Sequence, residues 1–197
     1  MARSRGGRGG LRRRRRSPCI WRLAQAGARP LAGPLIVTGE LGPADFAWLD
    51  AQRREHFPLE RNQLPAHLTM FHALPPSALS EIRARLSALT RGKPPRATVA
   101  GLLNLGSGVA YRIHSPELEA IRADLAEHLH GLLSAQDQAG WRPHVTIQNK
   151  VDPAVARKLH AELSRDFEQR PVAIPALALH EYRGGPWAPL GRWPFRG

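Results

Sequence analysis

The sequence predicts an α+β fold built from two similar lobes. One motif occurs twice, as His67-Leu68-Thr69-Met70 and as His144-Val145-Thr146-Ile147. Around each copy, the pattern of apolar residues predicts the order strand, helix, His-x-Thr strand, helix, strand. Two such lobes facing each other would bring both histidines to one cleft. We therefore expect a first lobe at about residues 34–100 and a second at about residues 101–197.

The first predicted lobe begins with a strand at Leu35–Thr38 and a helix over Ala44–Arg54. A loop leads into the His67 strand, Pro75-Pro76-Ser77 opens a second helix, and a strand over Ala97–Leu105 closes the lobe. The residues expected on the inner faces of the two helices are apolar and recur at helical spacing. They are Phe46, Trp48 and Leu49 in the first helix, and Leu79, Ile82, Leu86 and Leu89 in the second.

The second predicted lobe follows a hairpin turn at Gly106-Ser107-Gly108. Both of its helices have start signals, because Ser115-Pro116 and Asp152-Pro153 each place a capping side chain before a proline that suits the first helical position. The elements, in order, are a strand at 109–113, a helix from 116, the His144 strand, a helix to about 166, a strand at 172–182 and a returning strand at 187–195. The inward helix residues are Leu118, Ile121, Leu125 and Leu129, then Val155, Leu159 and Leu163.

The two motifs carry side chains that suit phosphodiester chemistry. Successive strand residues point to opposite faces, so His67 shares a face with Thr69, and His144 shares one with Thr146. A phosphoryl displacement needs a base for the incoming oxygen and an acid for the leaving oxygen, and histidine can do both near neutral pH. The hydroxyls can bind the non-bridging phosphate oxygens. The alternative is that each histidine is an ordinary strand residue, which a second copy in matching context makes less convincing.

Residues 1–33 differ from the rest of the chain, because they hold ten arginines and no acidic residue. Their low complexity predicts a disordered tail. A nucleic-acid-binding arm and an organelle transit peptide are alternatives, and Arg22 and Arg29 disfavour a secretory or twin-Arg signal. Arginine outnumbers lysine 26 to 3, as in GC-rich coding sequence. We favour an over-extended reading-frame start or an inert tail.

The net charge of +13 comes mainly from that tail, since residues 34–197 carry 19 basic and 16 acidic side chains. The folded part is thus mildly basic, which argues against strong nonspecific binding of nucleic acid. Cys19 is the only cysteine, so the sequence excludes an internal disulfide and a thiolate metal cluster. No apolar run reaches the roughly 18 residues that a membrane-spanning helix needs. We expect a cytoplasmic monomer with no membrane partner, no cofactor and no metal.

The motifs resemble those of the two-histidine (2H) phosphoesterase superfamily, and within it the bacterial 2′-5′ RNA ligase-like proteins. The resemblance covers roughly residues 34–183, and its most specific parts are 67–74 and Arg142-Pro143-His144-Val145-Thr146-Ile147. It implies a bilobal fold in which antiparallel sheets line a central cleft and helices lie outside. It also implies metal-independent opening or formation of 2′,3′-cyclic phosphates and 2′-5′ linkages in RNA or nucleotides. By the same resemblance His67 and His144 are the acid–base pair, in either order, and Thr69 and Thr146 hold the phosphate.

Three further residues are candidates for substrate contact. Arg142 lies two positions before His144, Gln148 shares the predicted face of His144, and Tyr111 lies on a neighbouring predicted strand. Each has an ordinary alternative, as an exposed loop arginine or as a half-buried strand residue. By strand parity His72 is offset from the His67 face, so we expect no catalytic role for it; His180 and Tyr182 are expected to be ordinary strand residues.

A second function class remains compatible with the same cleft. An RNA-binding module without catalysis would use the same residues for contact rather than for proton transfer. Such a module would still bind after loss of both histidines, and its binding would fall steeply with salt.

Overall fold

A computed structural model describes residues 33–197. The predicted disordered tail lies outside the described residues except for Gly33, and so does Cys19. The described part has eight strands and five α-helices. The strands are β1 Leu35–Glu40, β2 Leu68–Leu74, β3 Ala97–Asn104, β4 Val109–His114, β5 His144–Gln148, β6 Arg170–Val172, β7 Ala176–Glu181 and β8 Ala188–Pro194. The helices are α1 Pro43–His56, α2 Leu79–Leu89, α3 Pro116–His128, α4 Ala135–Gln138 and α5 Pro153–Arg165.

All eight strands belong to one antiparallel sheet with the order β6-β3-β4-β5-β2-β1-β7-β8. The two strands that carry the motifs, β2 and β5, are neighbours at the middle of this order. They are joined through the pair Leu68 and Val145, and both side chains are fully buried. The two halves of the sheet therefore meet where the two motifs lie.

The strand order does not follow the predicted division near residue 100. The half of the sheet around β5 contains β3, which comes before that boundary, and the half around β2 contains β7 and β8, which come after it. β3 pairs along its length with β4 through the hairpin at residues 105–108, in which the Leu105 N–H donates to the Gly108 carbonyl. β7 returns to pair with β1. Each half of the sheet is thus built from both parts of the chain.

The strand predicted at residues 172–182 is interrupted between β6 and β7. The Ala173 N–H donates to the Asp45 carboxylate at 2.8 Å, and the Ala173 carbonyl accepts from the Gly42 N–H at 2.8 Å. Pro175 has no N–H to give to a strand partner. The backbone here therefore binds the start of α1 instead of continuing the ladder, and Asp45 serves this contact rather than capping the helix.

Most other element predictions are confirmed. Ser115 and Asp152 cap α3 and α5, since their side chains accept from the N–H groups of Leu118 and Ala154. Two residues predicted to face inward are instead exposed, Phe46 to 37% and Val155 to 49%. No helix in the described part of the chain is long and apolar enough to cross a membrane.

The short helix α4 was not predicted from the sequence. Its one turn positions Asp137, whose side chain is 1% exposed and accepts from the N–H groups of His72 and Ala73 in β2 at 2.8 and 2.9 Å. Burial raises the pKa of Asp137, but hydrogen bonds from the His72 ring, these two N–H groups and Ser134 outweigh that effect and lower it to about 2. The carboxylate therefore fixes the segment before β5 to the strand that follows His67.

Candidate active site

The register of β2 and β5 brings the two motifs onto one surface. Because Leu68 pairs with Val145 in antiparallel strands, His67 lies across from Thr146, and Thr69 lies across from His144. Each histidine is thus beside the threonine of the other motif. The two histidines are diagonal neighbours, a relation that places Cβ atoms roughly 7–8 Å apart or less. The opposite face carries the buried side chains of Leu68 and Val145, as strand parity predicts.

The two histidine rings are held in the same way. Nδ1 of His67 lies 2.7 Å from the carbonyl oxygen of Pro65, and Nδ1 of His144 lies 2.7 Å from that of Arg142, each two residues earlier in the chain. A carbonyl oxygen can only accept, so Nδ1 carries the proton in both rings. In the neutral ring Nε2 is then unprotonated. Both histidines therefore have a fixed tautomer in which Nε2 can exchange a proton with a substrate.

His67 is held in its neutral form by its surroundings. Burial lowers the pKa of His67 to about 4, and the positive charge of Arg53 and the rings of His144 and His72 act in the same direction, while the hydrogen bond to Pro65 opposes them. The Trp187 ring packs against the imidazole at a tilt of 57°, with centroids 4.7 Å apart. At neutral pH His67 is consequently able to accept a proton.

The lowered pKa of His67 predicts acid sensitivity of the fold. Between its folded pKa of about 4 and its ordinary value of 6.5, the unfolded chain binds a proton that the folded chain does not. The free energy of unfolding therefore falls by about 2–3 kcal/mol as the pH drops from 6.5 to 4, and the contribution of His67 changes little above pH 6.5.

We expect His67→Gln to remove most of this pH dependence, measured as the difference in urea unfolding free energy between pH 7 and pH 4.5. An equal difference in wild type and variant would contradict this origin. His180, whose pKa burial also lowers, remains as a common background.

Arg53 of α1 is part of the site although sequence reasoning did not single it out. Its side chain is 5% exposed; Nε donates to the Asn62 Oδ1 and the Leu64 carbonyl at 2.9 Å each, and Nη1 donates to the Thr146 carbonyl at 2.7 Å. The available signal was its position four residues after the buried Leu49, where the inner face of the helix calls for an apolar residue. Arg53 joins the loop before His67 to the second motif strand.

Two recesses flank His67. The first, which we call the basic recess, has a volume of about 340 Å³ and is lined by Arg53, Arg61, His67, Thr146, Asn149 and Lys150 among others. The second, the apolar recess, has a volume of about 310 Å³ and includes Leu41, Phe46, Pro65, His67, Ala178 and Trp187. His180 also lines the apolar recess, where its ring lies 5.6 Å from that of Trp187. His67 thus stands between a charged and an apolar surface.

The remaining motif residues lie beside these recesses. His144 and Thr69 line neither of them. The Thr69 carbonyl accepts from the Trp141 Nε1–H at 3.0 Å, which holds β2 against the segment that leads into β5. Arg112 lies across from His144 in the neighbouring strand β4, so it is an exposed cation on the histidine face that sequence reasoning did not identify.

The three further candidates are in different situations. Arg142 is exposed and lines a separate recess with Arg112, while its carbonyl orients His144. Gln148 is 4% exposed, and its Oε1 has no hydrogen-bond partner within residues 33–197. Tyr111 does not lie on the histidine face. It pairs with Val145, is 5% exposed, and donates its hydroxyl to Gln52 at 3.3 Å, so strand parity places it on the opposite side of the sheet.

Within residues 33–197, no group of three or more His, Cys, Asp or Glu side chains could hold a metal ion. The functional groups that the described chain does bring together are imidazoles, hydroxyls and guanidinium groups. These groups can exchange protons and bind anionic oxygen atoms.

Comparison with known structures gives the same fold. The structure of TT0787 from Thermus thermophilus superposes with a TM-score of 0.58 at 18% identity, covering 83% of this chain and 98% of that one. A structure described as a phosphoesterase gives 0.52 at 17% identity, with 84% and 99% covered. Escherichia coli LigT complexed with 3′-AMP gives 0.52 at 15% identity, also with 84% and 99% covered. At these identities the likeness shows the fold, which is a LigT-like mixture of helices and a curled antiparallel sheet.

The sequence comparison is more specific about the family. No curated protein sequence matches the chain. The sequence model of the 2′-5′ RNA ligase superfamily matches residues 42–186, a range that includes both motifs. Because this match covers most of the chain, the protein belongs to the 2′-5′ RNA ligase superfamily of two-histidine phosphoesterases.

Proposed function

We propose that the protein is a phosphodiesterase that opens 2′,3′-cyclic phosphates, or cleaves and forms 2′-5′ linkages, in RNA or nucleotides. The observation that carries this proposal is the matched pair of histidines on neighbouring strands. Both rings have Nδ1 bound to a carbonyl oxygen two residues earlier, and each lies beside a threonine. Such a pair supplies one proton acceptor and one proton donor around a single phosphorus atom.

In the hydrolytic direction the proposed reaction needs no group beyond these side chains and water. A water oxygen attacks the phosphorus atom and loses a proton to Nε2 of one histidine. The bond from phosphorus to the ribose 2′ or 3′ oxygen breaks, and that oxygen takes a proton from Nε2 of the other histidine, which enters this step as an imidazolium ion with both nitrogens protonated. Because burial lowers the pKa of His67, it suits the role of base in this direction, and His144 is then the acid. Formation of a 2′-5′ linkage follows the same steps with a ribose 5′ hydroxyl in place of water: its oxygen attacks the cyclic phosphate, its proton goes to the base, and the 3′ oxygen leaves with a proton from the acid. Cleavage of that linkage is the reverse of this step.

The threonines and Arg53 support the developing charge in this proposal. The hydroxyls of Thr69 and Thr146 can donate to the non-bridging oxygens, whose negative charge increases as the new bond forms. Arg53 holds the Thr146 carbonyl at 2.7 Å and so fixes the strand segment that carries that hydroxyl. The charge of Arg53 acts on the same region.

The apolar recess favours a nucleotide as the substrate. The rings of Phe46 and Trp187 line it, and it opens beside His67. A nucleobase is a flat apolar group that stacks on aromatic side chains, and its phosphate would reach the histidines. The complex of Escherichia coli LigT with 3′-AMP supports this choice, because a protein of the same fold there binds a nucleotide.

The direct test is a screen of 2′,3′-cyclic mononucleotides and 2′-5′-linked dinucleotides, with the position of the product phosphate determined. Turnover of at least one class is expected. If no substrate is cleaved and nucleotide binding survives replacement of both histidines, the protein is an RNA-binding module and the proposal is wrong.

The proposed chemistry also predicts that activity is insensitive to chelators. Turnover of the preferred substrate in a large excess of EDTA over protein should equal turnover without EDTA. The reason is that a proton from histidine, rather than a metal ion, stabilises the leaving oxygen. Loss of activity in EDTA that zinc restores would instead indicate a histidine-based metal site.

A further inference from the structure

We propose that the basic recess binds a second phosphate group, so that the substrate is the end of an RNA chain rather than a mononucleotide. This inference rests on the proposed function and specifies its substrate class. The second phosphate would be the internal phosphodiester that precedes the terminal nucleotide.

The position of the basic recess makes it continuous with the proposed catalytic centre. His67 and Thr146, which lie across from each other in the two motif strands, form part of its wall. A substrate whose reacting phosphate lies between the histidines can therefore extend into this recess. The apolar recess lies beside the same histidine and remains available for a base.

The charges that line the basic recess favour an anion. Three cationic side chains, Arg53, Arg61 and Lys150, face one carboxylate, that of Glu60. Glu60 is largely exposed and lies 3.9 Å from Arg61 Nε, which is too weak a contact in water to cancel the positive charge. Within residues 33–197 the Lys150 ammonium takes part in no ion pair. An internal phosphodiester supplies the complementary negative charge.

The fold holds one of these cations in place and joins the segments that carry the other two, which are exposed. Arg53 is buried, and its contacts to Asn62, Leu64 and Thr146 use Nε and Nη1 but not Nη2. Arg61 Nη1 donates to the Lys150 carbonyl at 3.3 Å, which joins the loop before β2 to the turn after β5.

The backbone at Lys150 provides an independent observation. Within residues 33–197, Lys150 is the only non-glycine residue with a left-handed backbone conformation, and its φ is +62°. A lysine in this conformation costs free energy relative to glycine or asparagine, and such strain is concentrated at functional sites. The strained turn places a cationic side chain on the recess wall, where a residue better suited to the turn would have no charge.

The test compares three substrates with wild-type enzyme: adenosine 2′,3′-cyclic phosphate, the dinucleotide ApA with a terminal 2′,3′-cyclic phosphate, and the same dinucleotide with a neutral methylphosphonate linkage. The natural dinucleotide is expected to have a kcat/KM roughly 10- to 100-fold above the other two, since charge-assisted hydrogen bonds are the strong ones. The advantage should shrink as salt is raised.

Two variants locate the effect. Arg61→Gln and Lys150→Asn each remove one charge, and asparagine suits the left-handed turn. Each should lower the ratio of dinucleotide to mononucleotide kcat/KM by about tenfold. Arg157→Gln, an exposed change of the same charge on α5, is the matched control and should leave the ratio unchanged. Thermal unfolding of all variants checks their folding.

The outcomes separate this inference from the proposed function. Cleavage of the mononucleotide with no gain from the charged internal linkage would overturn the inference alone. Equal ratios in wild type, Arg61→Gln and Lys150→Asn would also overturn it. If none of the three substrates is cleaved, the proposed function fails and the inference falls with it.

Discussion

Replacing His67 or His144 with alanine should lower kcat on a 2′,3′-cyclic phosphate substrate by roughly 10²–10⁴, the usual contribution of a general acid or base. In the proposed mechanism one ring accepts a proton at Nε2 and the other donates one at Nε2 around the same phosphorus atom, and water cannot replace either group at a fixed position. The decrease should appear mainly in kcat, because proton transfer is needed in the transition state rather than for binding. Product formation under saturating substrate measures it.

The double variant gives a sharper result. When two groups act in one concerted step, loss of either already removes most of the benefit, so His67→Ala/His144→Ala should be little slower than the slower single variant. Strictly multiplicative losses would indicate two independent contributions. His72→Ala is the matched control on the same strand, and it should change kcat less than about threefold because the His72 ring contacts Asp137 rather than the histidine face. An unchanged rate in either single variant would exclude that histidine from catalysis.

The local geometry of the site was predictable from the sequence because strand parity is a local property. The alternation of His67, Leu68 and Thr69 fixes which side chains share a face, and the structure shows Leu68 buried and the other two partly exposed. The same rule explains why Tyr111 is absent from the site: its strand places it on the face of Val145. A residue on a neighbouring strand is a candidate only when the register is known.

Local sequence patterns could not predict how the two motif strands pair. The meeting of the motifs depends on the pairing of Leu68 with Val145, a contact between distant parts of the chain whose register no local pattern encodes. For the same reason the predicted division near residue 100 does not follow the strand order, because β7 pairs with β1 and β3 pairs with β4. Choice of strand partner is a tertiary property, whereas the presence of a strand is largely a local one.

Arg53 and Trp187 show a second limit. The position of Arg53 on the inner face of the helix is unusual for a charged residue but does not by itself mark a functional site. The tryptophan after Gly184-Gly185 carries no such signal. Their role becomes visible through tertiary contacts, the hydrogen bond to Thr146 and the ring contact with His67. Both lie in segments that surround the motifs, so sequence reasoning that starts from the motifs finds the motif side chains and misses the residues that contact them.

Asp137→Ala should be the most destabilising single substitution among those considered, lowering the free energy of unfolding by about 3–4 kcal/mol. The carboxylate is buried and accepts from the His72 and Ala73 N–H groups and from Ser134 Oγ. Alanine would leave these two partly buried strand N–H groups without their acceptor, at a cost of about 1–3 kcal/mol each. Urea unfolding at pH 7 measures the loss, and Asp166→Ala, an exposed carboxylate after α5, is the control.

The pH dependence of the unfolding free energy tests whether the charge of the Asp137 carboxylate is the source of this stabilisation. The pKa of Asp137 is lowered from 3.8 to about 2, so the folded chain keeps the charge after the unfolded chain has gained a proton. Its stabilisation is complete above the ordinary value and is lost as the pH falls toward 2, which amounts to about 2 kcal/mol. Asp137→Asn should lack this acid-dependent loss while the wild type and Asp166→Ala retain it. Because Asp137 holds β2 directly beyond His67 and Thr69, the same variant should also lower kcat through a less fixed strand, and a destabilised Asp137→Asn with wild-type acid dependence would contradict this assignment.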